Sequence, residues 1–356
     1  MKLQILCRGS IKEGLGHLLR TRTFARHAQS THEVEVVAIV EPGLEPVLSG
    51  LDCPLHCVRD DNAAVTHVNR FEPDVFVFDV TWCEPVLIEA ATRRSVLVTS
   101  ISPVFAEAAK LDVLFSRSAR AEAPSGVQVL GGLQYAIVGE HCHPVDDEAF
   151  ERSLALPELP VAICMGGADA ANKTLSVLRA LTAIPEPLSL IVLLGEGYAH
   201  SFNALVDAVR NDARHEVVLA KTNRSMWRLM SQCAVAVLAG GITTIEAVHA
   251  GLPTINLFEQ PVHQAVMDEL LESGVCLNGG LFSERSLATT VQLLRDLNRN
   301  REKLRHLRER TRGLVDRHGP ARVLREMEQR LLSKALRTAR NPENVRPQLP
   351  EMVPSL

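Results

Sequence analysis

Apolar runs of strand length alternate with amphipathic stretches along nearly the whole chain. This alternation is typical of β-α-β units, because parallel strands are covered by helices on both faces and therefore carry continuous apolar segments. The chain contains two such series. Strands are predicted at 3–7, 34–40, 75–79, 96–101 and 127–130 in the first, and at 161–165, 188–194, 216–220, 235–239 and 254–257 in the second. We therefore predict an α/β protein with two Rossmann-like, doubly wound domains.

The stretch between residues 139 and 160 interrupts the alternation with His, Asp, Glu and Pro, a composition typical of a linker between folding units. A chain of 356 residues is also long enough for two hydrophobic cores. We predict an N-terminal domain at 1–145 and a second domain at 158–336 that includes the C-terminal helices. Residues 337–356, with four prolines, are predicted to be a flexible tail.

The overall composition indicates a globular protein that acts on small molecules. Apolar residues make up 46% of the chain and charged residues 22%, and the net charge of -4 gives no general attraction to nucleic acid or to an anionic membrane. The first apolar run ends at Arg8, which is too short for a signal peptide or a membrane span. We therefore expect a cytoplasmic protein with no integral membrane segment and no nucleic-acid partner.

Two features that suggest other functions have simpler interpretations. The arginine-rich stretch after Ser283 also carries acidic and leucine residues at helical spacing, so a solvated face of an amphipathic helix is favoured over RNA or phosphate binding. The eight cysteines are dispersed, and His141-Cys142-His143 has no second ligand pair at a recognisable spacing. We predict no bound metal and no cofactor.

The turn after the first predicted strand contains Gly14, Gly16 and His17. The two glycines allow a tight turn, and His17 then lies in the first turn of the following helix. The positive end of the helix dipole disfavours an imidazolium, so the side chain is expected to be neutral and available as a base. An ordinary turn with a surface histidine is the alternative interpretation.

The second half of the chain contains two further glycine-rich strand ends, where backbone amides can approach a diphosphate closely. The first is Gly166-Gly167. The second leads into a helix and offers, in sequence order, Gly240, Gly241, Thr243 and Thr244. Glu246 follows in the same helix as a possible acceptor for the hydroxyls of a ribose, although an ordinary exposed glutamate fits equally. Neither a P-loop nor a complete Gly-x-Gly-x-x-Gly fingerprint is present, which argues against an ATPase and a dinucleotide oxidoreductase.

Three motifs in combination resemble one known group. They are Gly14-x-Gly16-His17-x-x-Arg20, Gly166-Gly167-x-Asp169-x-x-Asn172 and Gly240-Gly241-x-Thr243-x-x-Glu246. The group is that of the UDP-sugar hydrolases of the pseudaminic acid pathway and the similar spore-coat polysaccharide proteins. These share the GT-B architecture, two Rossmann-like domains that face a central cleft, with the peptidoglycan N-acetylglucosaminyltransferase.

The resemblance implies that His17 activates water, that Glu246 binds ribose and that the loop 240–244 meets the diphosphate. It also implies substrate contacts from the remaining matched positions, which are Gly14, Gly16, Arg20, Gly166, Gly167 and Asn172. A glutamine of the group corresponds either to His263 or to Gln264. The Asp-His-Tyr motif of the group corresponds to Asp79-Val80-Thr81, so only the aspartate is kept as a substrate contact. The group also has an arginine directly after a Tyr-x-x-x pattern, and this chain has Gly139 at that position. The nucleotide half of the motif set is therefore better preserved than the sugar half.

The leading hypothesis is a metal-independent hydrolase that cleaves a UDP-linked amino or deoxy sugar to UDP and free sugar. The alternatives are a glycosyltransferase, in which His17 deprotonates an acceptor hydroxyl, and a nucleotide-binding protein without catalysis. The identity of the sugar, the base preference and the oligomeric state stay open at this point.

Overall fold

A computed structural model of the protein describes residues 1–102, 106–221 and 226–340. These residues form two parallel sheets with helices on their faces. The first sheet contains β1 (Lys2–Gly9), β2 (Glu33–Val40), β3 (Leu55–Val58), β4 (Val75–Asp79), β5 (Leu97–Ser100), β6 (Val113–Ser116) and β7 (Gln128–Gly131). Its connections include α1 (Gly16–Ala28), α2 (Asp61–Val68) and α3 (Pro85–Arg94).

The second sheet contains β8 (Leu159–Cys164), β9 (Leu188–Leu194), β10 (Glu216–Lys221), β11 (Val235–Leu238), β12 (Thr254–Phe258) and β13 (Leu277–Leu281). It is preceded by α4 (Asp147–Ala155) and connected by α5 (Lys173–Thr182), α6 (Phe202–Val209), α7 (Met226–Met230), α8 (Ile242–Ala250), α9 (Pro261–Ala265) and α10 (Asp268–Glu272). The chain continues through α11 (Glu284–Arg299), α12 (Glu302–Thr311) and α13 (Gly319–Arg340).

The strand order of each sheet determines where a ligand can bind. The first sheet has the order β3-β2-β1-β4-β5-β6-β7 and the second the order β10-β9-β8-β11-β12-β13. The order reverses between β1 and β4 in the first sheet and between β8 and β11 in the second. A crevice opens at the carboxyl ends of the strands at such a reversal, because neighbouring connections leave on opposite faces. The loops after β1, β4, β8 and β11 therefore lie at the two crevices.

The predicted fold class is confirmed: both sheets are parallel and doubly wound. Every strand predicted from the sequence is present, but β3, β6 and β13 were not predicted. β3 and β6 have only four residues each, and β13 has the sequence LNGGL, so none of them is a long β-branched apolar run.

The last helix packs on a different domain from the one expected. The sequence groups the C-terminal helices with the second domain, but α13 inserts Val323, Leu324 and Met327 into the core of the first sheet. Lys334 of the same helix forms an ion pair with Asp112 at 2.8 Å. The chain therefore returns to its first domain after completing the second. α13 includes residues 337–340 of the predicted tail, and 341–356 lie outside the described residues.

Candidate active site

The loop between β1 and α1 places His17 at the carboxyl edge of the first sheet. Gly14 has a φ of 89°, a region that glycine enters without steric cost, and its N–H donates to the carbonyl of Ser10 at 2.9 Å. The turn leads directly into α1, where His17 is the second residue. Its side chain is 14% exposed, so the imidazole is largely enclosed but still accessible.

The partner of His17 is Asp79, the last residue of β4. Because β4 pairs with β1, with Cys7 opposite Asp79, the end of β4 lies beside the loop that carries His17. Nδ1 of His17 lies 2.6 Å from Oδ1 of Asp79. Arg20 donates to both carboxylate oxygens, through Nε to Oδ2 at 3.0 Å and through Nη2 to Oδ1, and Thr21 donates to Oδ2 at 3.0 Å.

This environment keeps the Asp79 carboxyl ionised. Burial alone would raise its pKa, but the charge of Arg20, together with the hydrogen bonds and electrostatic interaction from His17 and Arg20, outweighs burial and holds the pKa of Asp79 below its ordinary value. An ionised carboxylate only accepts hydrogen bonds, so we assign the proton of His17 to Nδ1. The lone pair of Nε2 is then left free to accept a proton.

The positions of Asp79 and Arg20 in the structure differ from those that the sequence predicted. Both were expected to contact substrate, but Asp79 is completely buried and Arg20 is 8% exposed. Their polar groups are directed mainly at one another. Nη2 of Arg20 also lies 2.9 Å from Nδ1 of His17, but with the proton on Nδ1 both atoms are donors, and both share Oδ1 of Asp79 as their acceptor. They orient His17 from behind, and only the histidine of this group has an accessible ring.

The loop after β8 faces the His17 loop from the second domain. Gly166 has a φ of 100° and nothing within 4 Å of the position that a Cβ would take. Gly167 is in contact with the first domain, since a Cβ there would lie 3.0 Å from Cβ of Leu15. The carbonyl of Gly167 accepts a hydrogen bond from the N–H of Gly197 at 3.0 Å. The two predicted glycine turns are thus brought together across the cleft, with Leu15 as the point of contact.

Asn172 has a structural position within the second domain. Its φ is 51°, and its amide oxygen accepts a hydrogen bond from the hydroxyl of Tyr198 at 3.0 Å. Asp169 of the same motif accepts from the backbone N–H groups of Lys173 and Thr174, each at 2.8 Å, and so caps the start of α5. The side chains of this motif shape the loop, which leaves the open glycines as its accessible surface.

The second glycine turn lies at the start of α8. Gly240 has a φ of 69° and packs against the ring of Phe258, which a Cβ would overlap. Gly241 is the N-cap residue, has open space at its Cβ position, and leaves the first turn of α8 without a side-chain cap. Such a turn presents free N–H groups and the positive end of a helix dipole, which suits a phosphate.

The two threonines of this turn point in different directions. Thr243 lines the cavity between the domains. Thr244 is completely buried, and its hydroxyl donates to Oδ1 of Asn256 at 2.7 Å. The hydroxyl of Thr244 is therefore engaged within the second domain, where it stabilises the packing of α8 on β12, and only the hydroxyl of Thr243 faces the cavity.

Glu246 lies one turn further along α8, at the same cavity. Its Oε1 accepts from the backbone N–H of Gly139 at 3.1 Å. Burial raises the pKa of Glu246 to about 7, against the opposing effects of Gly139, a hydrogen bond from Trp227 and the charge of Arg22. A Cβ on Gly139 would lie 2.6 Å from Oε1, so the glycine found in place of the expected arginine allows this contact.

A cavity of about 140 Å³ lies between the domains. The first domain contributes one face of α1, and the second contributes its glycine loops, α7 and α8. The lining comprises Leu15, Leu19, Arg22, Thr23, Arg26, Val47, Gly139, Glu140, His141, Cys142, Cys164, Gly166, Gly167, Gly195, Glu196, Met226, Trp227, Ile242, Thr243 and Glu246. Of the predicted site residues, the cavity thus brings together Gly166, Gly167, Thr243 and Glu246.

The helix α9 carries the two residues considered for the glutamine position. His263 is exposed and Gln264 is half-buried. Desolvation lowers the pKa of His263; Glu259 opposes this, and the nearby basic side chains of Lys173, Arg117 and His17 lower it further.

Several residues at the cleft were not predicted as site residues. Arg22 and Trp227 line the cavity, and Arg117 follows β6 at the carboxyl edge of the first sheet. Arg22 lies on the same face of α1 as Leu19 and the preceding Leu15. The spacing of these residues by four and three positions is visible in the sequence and could have indicated that they share a face. Arg117 lies in no recognisable motif, and the strand before it was not predicted.

Within residues 1–102, 106–221 and 226–340, no group of three or more His, Cys, Asp or Glu side chains is arranged to hold a metal ion. All eight cysteines are free. Over the same ranges, no helix combines the length and the apolar character needed to cross a bilayer.

Comparison with known proteins gives one distant sequence relative. No protein-family model matches the chain. An uncharacterized protein of Methanocaldococcus jannaschii, MJ1062, is 22% identical over 286 residues, which cover 76% of this chain and 58% of that protein. The chain therefore matches less than two thirds of the length of this relative.

Solved structures with low sequence identity share the fold. The MurG structure from Acinetobacter baumannii has a TM-score of 0.66 at 15% identity, covering 92% of this chain and 99% of that one. MnaA of S. aureus, in a co-structure with UDP, has a TM-score of 0.61 at 11% identity over 93% and 97% of the two chains. The UDP-GlcNAc 2-epimerase of Neisseria meningitidis, bound to UDP-GlcNAc, has a TM-score of 0.59 at 12% identity over 92% and 100%. The chain therefore has the GT-B fold, with two Rossmann-like domains and a C-terminal helix that returns to the first.

Proposed function

We propose that this chain is a nucleotide-sugar hydrolase that cleaves a UDP-linked sugar in the cleft between its domains. The observation that carries the proposal is the buried Asp79 carboxylate held 2.6 Å from Nδ1 of His17, which leaves Nε2 free. His17 lies two residues after Leu15, the residue that meets Gly167 of the second domain, although His17 itself does not line the cavity between the domains. A histidine oriented by an ionised carboxylate is a common arrangement for a general base.

The second domain supplies the nucleotide site in this proposal. The open backbone at Gly166 and Gly241 and the uncapped start of α8 receive the diphosphate, assisted by the hydroxyl of Thr243. Glu246 accepts hydrogen bonds from the ribose hydroxyls at the other end of the cavity. The solved structures of the same fold that contain UDP or UDP-GlcNAc support a nucleotide of this kind.

The chemical step is a displacement by water. Nε2 of His17 accepts one proton from water while the water oxygen bonds to the anomeric carbon, and the bond from that carbon to the β-phosphate oxygen breaks. UDP leaves with both electrons of that bond, and the imidazolium is stabilised by Asp79. General-base assistance of this type contributes about 10²- to 10⁴-fold, and positioning and electrostatic stabilisation of the diphosphate contribute the rest.

The motifs that resemble the pseudaminic acid hydrolases support an amino or deoxy sugar as the reacting group and a cytoplasmic site of action. The same cleft can support glycosyl transfer if an acceptor hydroxyl replaces water, because the base and the leaving group are unchanged. Hydrolysis is preferred because the sequence motifs at His17 and α8 match the hydrolase group.

Two measurements test the proposed function. A thermal-shift panel with UDP, CDP, GDP and dTDP identifies the preferred nucleotide, and stabilisation by UDP is expected. Nucleotide release is then followed with a panel of UDP-sugars, with and without sugar acceptors.

UDP release at full rate without an acceptor supports hydrolysis. Release that requires an acceptor contradicts hydrolysis and supports a glycosyltransferase. Stabilisation by nucleotide without turnover of any sugar conjugate contradicts both enzymatic functions and supports a binding protein.

A further inference from the structure

Arg117 extends from the carboxyl end of β6 toward the cleft. It lines a small cavity of about 30 Å³ together with Arg20, Tyr135 and two residues of α8, Ile242 and Ile245. Ile242 also lines the larger cavity between the domains, so Arg117 faces the start of α8 from the first domain. The side chain is partly buried, and its Nε is fully enclosed.

The charge of Arg117 is not balanced within the part of the chain that the structure describes. Its buried Nε has no hydrogen-bond partner, and the guanidinium forms no ion pair there. Asp79 is near enough to act on it electrostatically, but that carboxylate already accepts from Arg20, Thr21 and His17. Burial, followed by the charge of Arg20, lowers the pKa of Arg117 to about 10, so it remains a cation at neutral pH.

An enclosed cation without a partner lowers the stability of a folded protein, because it loses hydration and gains no compensating interaction. Among the described residues, the buried arginines Arg8, Arg20 and Arg308 each form an ion pair with a carboxylate. Arg308, for example, lies 2.8 Å from Asp147 and donates to the carbonyl of Gly251 at 2.8 Å. Because residues 1–102, 106–221 and 226–340 supply no ion-pair partner for Arg117, its guanidinium is suited to an anion that arrives with a ligand.

We propose that Arg117 binds the diphosphate of the nucleotide from the first domain, opposite the N-terminal end of α8. The phosphates then bridge the domains, with backbone N–H groups of α8 on one side and a guanidinium on the other. Planar guanidinium groups bind phosphate oxygens through paired, charge-assisted hydrogen bonds. This proposal rests on the proposed function for the nature of the ligand and adds a first-domain residue to its binding site.

The loop of Arg117 is held against the second domain by its neighbours. The backbone N–H of Ala119 donates to Oε2 of Glu269 at 2.9 Å, and Arg120 donates to both oxygens of Glu272 at 2.9 and 2.6 Å. Both acceptors belong to α10. These contacts hold the loop that carries Arg117 against the second domain.

The test compares Arg117→Gln with Arg93→Gln, a matched change at an exposed arginine of α3. Binding of UDP and of uridine is measured by calorimetry at several salt concentrations. Arg117→Gln is expected to weaken UDP binding about 10- to 100-fold, the size of one charge-assisted contact, and to reduce its salt dependence. Uridine binding should be unchanged, Arg93→Gln should match the wild type, and Arg117→Lys should be intermediate.

The melting temperature of the free protein distinguishes ligand binding from a structural role. Arg117→Gln is expected to melt at or above the wild-type temperature, because it removes an enclosed, unpaired charge. A lower melting temperature with unchanged UDP affinity would show that Arg117 is structural and would overturn the proposal. Unchanged affinity for UDP with weaker binding of UDP-glucuronate would also overturn it, since the anion would then be a sugar carboxylate.

The outcomes separate this inference from the proposed function. UDP affinity that depends on Arg117, in a protein that hydrolyses no UDP-sugar, supports the diphosphate contact and contradicts hydrolysis. Hydrolysis with UDP affinity that is the same in wild type and Arg117→Gln supports the proposed function and contradicts the role of Arg117.

Discussion

Oδ1 of Asp79 lies 2.6 Å from Nδ1 of His17, although 62 residues separate them in the chain. The contact exists because β4 is the neighbour of β1 in the first sheet. Asp79 is completely buried and its pKa is held below the ordinary range, so a permanent negative charge faces the inner nitrogen of the imidazole. The outer nitrogen, Nε2, is thereby left with a free lone pair, which is the feature that the proposed hydrolysis uses.

Replacing Asp79 with asparagine should separate orientation from charge. An amide can present either an N–H or an oxygen to His17, so the tautomer is no longer determined, and turnover should fall about 10²- to 10⁴-fold. Arg20 also loses its carboxylate, so the free energy of unfolding should decrease by about 3–5 kcal/mol. Steady-state kinetics and urea unfolding measure the two effects. Asp60→Asn is the control, because Asp60 is exposed and asparagine can also cap the start of α2. Wild-type turnover in Asp79→Asn would disprove the role of Asp79 in orienting His17.

The two threonines of α8 form a matched pair for mutation. Thr243→Val removes a hydroxyl that faces the cavity, and it should weaken UDP binding about tenfold with little change in stability. Thr244→Val leaves the amide oxygen of Asn256 without its 2.7 Å donor, and it should reduce stability by about 1–3 kcal/mol with little change in affinity. Calorimetric titration and thermal unfolding of both variants measure this. The reverse pattern would mean that the phosphate contacts are assigned to the wrong residue.

Glu246 should make stability depend on pH around neutrality. Burial raises its pKa in the folded protein to about 7, above the ordinary value of 4.5, so the folded state holds a proton that the unfolded chain releases. The stabilisation is complete below pH 4.5 and is lost as the pH rises through about 7. Glutamine does not ionise, so Glu246→Gln keeps its free energy of unfolding as the pH rises. The variant should therefore be more stable than the wild type by about 2 kcal/mol at pH 8, and the two proteins should have similar free energies of unfolding near pH 5. Denaturant unfolding at several pH values tests this, and parallel pH profiles would refute the shift.

The neighbouring glycines of the α8 turn should differ in their tolerance of alanine. Gly240 has a φ of 69° and its Cβ would overlap the ring of Phe258, so Gly240→Ala should cost about 2–4 kcal/mol of stability. Gly241 has a φ of -96° and open space at the same position, so Gly241→Ala should cost less than about 1 kcal/mol. Comparable losses in the two variants, measured by chemical unfolding, would show that the turn has been described incorrectly.

The parts of the fold and site that follow local rules were predictable from the sequence. Long apolar runs identified the central strands, which are buried on both faces. Gly14, Gly166 and Gly240 were expected at turns, and each has a positive φ that other residues rarely adopt. Local chemistry determines these positions, so the residues themselves indicate them.

The parts that depend on strand order and side-chain direction were not predictable in the same way. Asp79 was predicted at the site, but its position behind His17 results from the pairing of β4 with β1. Thr243 and Thr244 have the same chemistry, and only the packing of α8 on β12 directs one to the cavity and the other to Asn256. Arg117 follows a four-residue strand and belongs to no motif, so nothing local distinguishes it from other arginines.

The most direct test of the central claim is the turnover of a His17→Ala variant, measured beside its affinity for UDP. His27→Ala is the control, because His27 is an exposed histidine of the same helix. The account predicts that UDP affinity stays within about threefold of the wild type while UDP-sugar cleavage falls about 10²- to 10⁴-fold. Cleavage at the wild-type rate by His17→Ala would contradict it, since no proton acceptor at Nε2 would then be needed.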